Sequence, residues 1–237
     1  LPLASFARLL LLLLLVPALA LAASACAADG GGRLAPAPGQ AAIASAHHLA
    51  TDAGFQVLDK GGNAFDAAVA VSAALSVVEP ISSGLGGGGF FLLHQADSGR
   101  DVFIDARETA PAAASSERYR TAEGKLDASI AQDGAWAAGF PGLPAALVHV
   151  AEKYGRLPLS ESLAPAIALA RDGFPVYARL ERGYAARREV MERFPGTRQV
   201  YLAGGGPLKE GQLFRQPDLA RTLESLARDG FDGFYRG

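Results

Sequence analysis

The stretch "DVFIDARETAP", residues 101–111, sets three charged side chains, Asp105, Arg107 and Glu108, directly after the apolar run Val102-Phe103-Ile104. β-branched and aromatic residues in sequence predict a strand, and Pro111 stops regular structure soon after it. Read alone, the arginine pairs with Asp105 or Glu108 at the mouth of that strand. Two histidines, His47 and His48, have metal-ligand chemistry, but no Cys or carboxylate cluster accompanies them. Adjacent histidines on one strand or turn should point apart, so capping or packing is the expected role, and no metal site is expected. Ser45-Ala46-His47 and Ser82-Ser83-Gly84 offer hydroxyls for a Ser-His-Asp hydrolase, but no G-x-S-x-G elbow accompanies them.

The Gly-rich run "SSGLGGGGFFLLHQ" invites a phosphate reading. Phosphate loops follow a strand and open a helix, so that the helix N-terminus meets the anion. Here the glycines follow a predicted helix and open a predicted strand, and no Lys-Ser or Lys-Thr pair comes after them. The run is therefore expected to serve backbone geometry: positive φ and close packing at the start of a buried strand. No cofactor is expected.

These residues need elements to position them. "AIASA", residues 42–46, predicts a short apolar strand. A helix follows through "HHLATDAGFQVLDKGG", with Ala50, Ala53, Phe55 or Val57, and Leu58 at helical spacing and Gly61-Gly62 closing it. Asn63 can cap the next helix, "AFDAAVAVSAALSVVEP", which is apolar almost all round and so expected to be buried; Glu79-Pro80 ends it. Phe90–Gln95, a turn at "ADSGR" and "DVFID" predict a hairpin. The remainder reads as helical: "FPGLPAALVHVAEKYG", a helix from about Ser160 to Arg171 stopped by Gly173, the charged surface helix "YARLERGYAARREVMERF", and "PDLARTLESLARDG" with Leu219, Leu223 and Leu226 on one face.

Composition bounds the function. The chain has 237 residues, half of them hydrophobic, and a net charge of -2, which makes no electrostatic case for nucleic acid. One Cys rules out an internal disulfide framework. The first residue is Leu1, the only Met is Met191, and the run ends on Gly237, which suggests a piece of a longer gene product. Arg8, the unbroken leucines Leu9–Leu15 and the small residues of "LAASACAA" fit a secretory signal peptide over residues 1–27. Ala23-Ser24-Ala25-Cys26 resembles a bacterial lipoprotein box except that Ala23 stands where Leu is usual, so lipidation at Cys26 is the alternative to plain cleavage, and only then would a membrane be a partner. Residues 28–40, rich in Gly, Ala and Pro, read as a flexible linker, and 41–237 as the domain. A periplasmic or secreted location is expected.

Two strands, two long helices beside them and a helical second half predict an α+β layered fold whose sheet looks incomplete. In fixed order, "DAGFQVLDKGGNAFDAAVAVSAALSVVEPISSGLGGGGFFLLHQ", "DARETAP", "GFPGLPAAL" and "YGRLPLSESLAPAIALARDGFPV" resemble the large-subunit part of γ-glutamyltranspeptidase, an N-terminal-nucleophile hydrolase, from about Ala42 to the last residue. The resemblance implies an αββα sandwich of which only the large-subunit part is present, truncated at its C-terminus. It implies a secreted precursor that cuts itself into two subunits. The new N-terminal Thr of the small subunit would attack the γ-carbonyl of glutathione or a related compound, with its own α-amine as base. The γ-glutamyl ester would pass to water or an amino acid. Arg107 matches the family arginine that holds the substrate's α-carboxylate, a two-pronged, charge-assisted contact. No catalytic residue is expected in this chain: Thr51, Thr109, Thr121, Thr197 and Thr222 lie in no Thr-Thr-His-like stretch. The small subunit from the same precursor is therefore the expected partner, and the chain alone is expected to be inactive. The alternative is a non-catalytic relic or interaction protein that keeps the fold.

Overall fold

A computed structural model describes residues 41–202 and 204–237. The expected signal peptide, its Cys26 and the linker 28–40 lie outside the described residues. The chain divides into Leu1–Ala42 and Ile43–Gly237, and the second unit carries every element below.

α1 (His48–Asp59) starts at His47, whose ring Nδ1 accepts the Leu49 N–H at 3.2 Å. Residues 41–45 form no strand. A strand exists only through its ladder, and among the described residues nothing pairs with this segment; Ile43 packs against Gly54 of α1 instead. α2 (Ala64–Val78) opens with a capping box: Asn63 Oδ1 accepts the Phe65 and Asp66 N–H groups, and the Asp66 carboxylate accepts the Asn63 N–H at 2.8 Å. Asp66 is fully buried and also accepts the N–H groups of Arg156 (2.9 Å) and Leu157 (3.3 Å), tying the start of α2 to a segment 90 residues away. As its composition predicts, α2 is buried along most of its length and stops at Glu79 before Pro80.

β1 (Gly89–Gln95) and β2 (Arg100–Ala106) pair antiparallel, with Phe91 opposite Ile104 and Leu93 opposite Val102. Those four side chains face the core. Phe90, Leu92 and Phe103 lie on the other face and are exposed, with Phe90 and Phe103 stacked at 5.6 Å. The expected buried strand is therefore buried on one face only, because helices cover one side of this ribbon and no described element covers the other. After β2 the chain runs irregularly through α3 (Ala128–Gln132) and returns where Thr109 and Phe140 exchange two backbone hydrogen bonds.

α4 (Leu143–Tyr154) and α5 (Leu159–Asp172) follow, the latter stopped at Gly173 with φ 91°. β3 (Phe174–Pro175) leads to α6 (Ala178–Ala186), α7 (Arg188–Arg193) and α8 (Pro195–Tyr201); β4 (Leu213–Phe214) pairs with β3, and α9 (Pro217–Tyr235) ends the chain with a break at Gly230. The single surface helix expected over 177–194 is two helices divided at Arg187, and its Leu180 and Tyr184 are fully buried beside Phe174 and Phe214. α2 packs against α1, α4 and α5; α9 lies along α5 and α4; β2 rests on α4. Fully buried Leu147, Leu163, Leu223 and Leu226 anchor this layer, each contributing about 1.5–3 kcal/mol by leaving water. The architecture is α+β, with two two-stranded sheets among the described residues.

Candidate functional site

Ala106 is the buried last residue of β2, and two backbone segments press against its carbonyl oxygen. A Cβ on Gly88 would lie 2.3 Å from that oxygen, and one on Gly142 would lie 2.1 Å from it. Only glycine permits either approach. The Gly87 carbonyl accepts the N–H groups of Gly142 (3.0 Å) and Leu143 (3.1 Å), so the end of β2, the Gly-rich loop and the start of α4 meet in one joint. The sequence reading of close packing thus holds at Gly88. The expected positive φ does not: Gly84, Gly86, Gly87, Gly88 and Gly89 all lie outside that region. Steric room, not handedness, selects glycine here. A second oxygen pins the joint, since the Tyr235 hydroxyl donates to Pro141 O at 2.8 Å and accepts the Ala145 N–H at 3.2 Å.

Arg107 emerges from this joint. Its backbone N–H bonds Asp105 Oδ1 at 2.9 Å, and its Nε donates to Glu108 Oε2 at 2.9 Å. Both acids flanking the arginine are therefore used, Asp105 by the backbone and Glu108 by the guanidinium. The Arg107 side chain is 68% exposed, and among the described residues neither Nη has a hydrogen-bond partner. Glu108's own backbone N–H, and then the Arg107 guanidinium, hold its carboxyl below the usual carboxylate value despite partial desolvation. Glu108 thus favours its charged form, one edge of the guanidinium is spoken for, and the Nη edge can grip a carboxylate through two parallel bonds. Two hollows flank it. One, of about 330 Å³, lies between β2 and α4 and is walled by Ile104, Arg107, Phe140 and His149. The other, of about 260 Å³, is walled by Ser82, Ser83, Gly88 and Glu108.

The remaining candidates fall elsewhere. His47 caps α1, and its ring stacks on His48 at 4.6 Å, so the two rings do not point apart as expected; His47 is buried against Tyr177 at 4.9 Å, while His48 stays exposed over it. Burial, with His48 beside it, lowers the pKa of His47 below 6.5. The Ser45 hydroxyl bonds the backbone oxygen of His47 and the Thr51 hydroxyl, not an imidazole, so no nucleophile–base pair forms there. Sequence reasoning treated Glu108 only as an alternative ion-pair partner to Asp105 and passed over the roles of Gly142 and Tyr235. Glu108 stood in the quoted motif; the others act through contacts that no local pattern announces.

The end of β2 thus carries an exposed guanidinium whose Nε is held by Glu108. Comparison with known proteins names the family. The model of the family Gamma-glutamyltranspeptidase matches residues 50–237. The chain is 39% identical over 196 residues to the glutathione hydrolase proenzyme of Bacillus subtilis (strain 168), covering 82% of this chain and 33% of that protein. It is 39% identical over 201 residues to the acylase ACY 1 proenzyme of Pseudomonas sp. (strain SE83), covering 82% and 36%. The crystal structure of Helicobacter pylori γ-glutamyltranspeptidase superposes with a TM-score of 0.81 at 36% identity, over 86% of this chain and 58% of that one. The chain belongs to the γ-glutamyltranspeptidase family. It spans about a third of the length of the curated relatives it matches.

Proposed function

We propose that this chain supplies the substrate-carboxylate wall of an enzyme that transfers the γ-glutamyl group of glutathione or related compounds to water or an amino acid. The observation that carries the reading is Arg107: within a γ-glutamyltranspeptidase-family domain, its Nη edge faces outward at a corner that Gly88, Gly142 and Glu108 hold in place. A γ-glutamyl group carries its α-carboxylate far from the bond that breaks, so the arginine positions the substrate and takes no part in bond making. The nucleophile in this reading is a Thr from a segment outside these 237 residues, freed by self-cleavage and served by its own α-amine. The proenzyme names of the relatives support that route. The apolar outer face of the β1–β2 ribbon supports an αββα sandwich in which a second, small-subunit layer covers Phe90, Leu92 and Phe103. Export, with loss of residues 1–27 or anchoring through Cys26, completes the proposal.

The test uses the full gene product and a γ-glutamyl anilide. Hydrogen bonds to a charged partner contribute roughly 1.5–3 kcal/mol each, so Arg107→Ala should lower kcat/KM by about two orders of magnitude. On an acyl anilide that lacks the α-carboxylate, wild type and variant should be equally slow. Preference of the wild type for that second substrate would point to the acylase side of the family instead, and no turnover of either would favour a non-catalytic relic.

A further inference from the structure

Glu79 is an unusual residue to bury. Its carboxylate follows the last turn of α2, the end of a helix that disfavours an anion, yet it is only 2% exposed. A buried charge persists when it is paired, and here the partners come from the start of α6, far along the chain. The Tyr177 hydroxyl donates to Glu79 Oε1 and lies 3.1 Å from Val78 O. Arg179 Nη1 stands 3.4 Å from Glu79 Oε2, and its Nη2 stands 3.4 Å from Ser82 Oγ. The backbone repeats the link: the Ser82 and Ser83 N–H groups bond Glu79 O at 2.9 and 2.8 Å.

The loop that begins there ends at the site. Gly87 N–H bonds Gly84 O at 3.0 Å, Gly87 O receives the start of α4, and Gly88 lies against Ala106 O and the Glu108 N–H. The Gly88 N–H is also among the groups that keep Glu108 charged, and Glu108 in turn holds Arg107 Nε. An unbroken series of contacts therefore runs from Arg179 and Glu79 through the loop to the guanidinium. A helix end needing only a cap would not require a cation that also reaches the loop's serine.

We propose that Glu79 and Arg179 are positioning residues: they set the Ser82–Gly88 loop against the Glu108–Arg107 corner, and so fix the direction of the guanidinium edge offered to a substrate carboxylate. The inference rests on the reading of Arg107 as the partner of the γ-glutamyl α-carboxylate. Arg179 is the cleaner probe, because its side chain is 58% exposed and its loss opens no cavity.

In the full gene product, amide hydrogen exchange of residues 80–88, the unfolding midpoint and γ-glutamyl anilide kinetics would be measured for wild type, Arg179→Met and Arg179→Lys. Arg179→Met should speed exchange in the loop and raise KM about five- to tenfold while leaving kcat within about twofold, the signature of lost substrate positioning. The midpoint should fall only modestly, since the Tyr177 hydroxyl still holds the carboxylate, and Arg179→Lys should recover part of both effects. Unchanged exchange, or faster exchange with KM unmoved, overturns the proposal. So does a loss of stability that accounts for the whole effect and is not rescued by Lys. If wild type turns over no γ-glutamyl substrate yet Arg179→Met still loosens the loop, the strut stands and the reading of Arg107 fails.

Discussion

Arg107 shows how a guanidinium can be both anchored and available. Nε is committed to Glu108, which removes one source of rotation, and the outward edge carries the two parallel donors that match a carboxylate. Lysine at this position would keep the charge but could not hold Glu108 and a substrate carboxylate with a fixed fork. Arg107→Lys should therefore recover only part of the roughly hundredfold loss in kcat/KM proposed for Arg107→Ala. Self-cleavage of the precursor should persist in both variants, because it uses no substrate carboxylate; subunit separation on a denaturing gel reads this directly. A precursor that stops cleaving, or a variant equally impaired on a substrate without the carboxylate, would mark Arg107 as a strand-end residue only.

At the scale of elements, the joint between β2, the Gly-rich loop and α4 has no spare room. Gly142→Ala would place a methyl group 2.1 Å from Ala106 O and 3.0 Å from Arg107 O, both backbone atoms that cannot step aside. Overpacking of this kind costs roughly 1–3 kcal/mol; the expected result is a lower urea midpoint together with a raised KM, since the displaced strand end carries Arg107. The start of α1 carries a pH dependence. His47 caps the helix through Nδ1; its burial, and then the neighbouring His48, lower its pKa, while Glu79 and Asp52 oppose the shift. A group whose folded pKa is depressed contributes stability that is complete above its unfolded value of 6.5 and is lost as pH falls through the folded value. His47→Asn keeps a capping side chain that does not titrate. The fall in unfolding midpoint on acidification below pH 6.5 should be shallower in this variant than in wild type; equal slopes would assign the acid sensitivity to other groups.

At the scale of the whole molecule, the described residues set a helical layer on one side of a two-stranded ribbon and exposed apolar side chains on the other. Leu92 is 77% exposed, and Phe103 and Phe90 adjoin it. An uncovered ribbon with such a face is prone to associate. The 237-residue chain expressed alone should aggregate and should not hydrolyse a γ-glutamyl anilide. Leu92→Lys with Phe103→Glu, which face each other across the strands, should improve its solubility in sedimentation assays. In the full gene product the same pair of changes should impair folding or subunit assembly if a second layer covers this face. A double variant that leaves the full product unaffected would count against the sandwich.

Much of this architecture was legible in the order of residues because it depends on local signals. Asn63 with Asp66 three residues later is a cap written in sequence, the apolar run from Ala64 to Val78 reads as a buried helix, and the apolar runs of "GFFLLHQ" and "RDVFIDA" flank a turn as the strands of a hairpin do. The ordered motifs around Arg107 also pointed to the family. What local order could not settle was every feature that arises when distant segments meet. The apolar residues 42–46 look like a strand, but a strand needs a partner, and tertiary packing supplied Gly54 to Ile43 instead. The glycines near 88 look like turn residues, but their reason is a carbonyl contributed by β2. Glu79 looks like a helix end, and only the fold brings Tyr177 and Arg179 to its carboxylate, across nearly 100 residues of chain. Sequence alone determined most of the helices, the hairpin and the family they belong to, because hydrophobic period and capping act within a few residues. The tertiary structure decided where Arg107 stands, because the end of β2 that carries it is held by contacts with the Gly-rich loop and the start of α4, which no single segment contains.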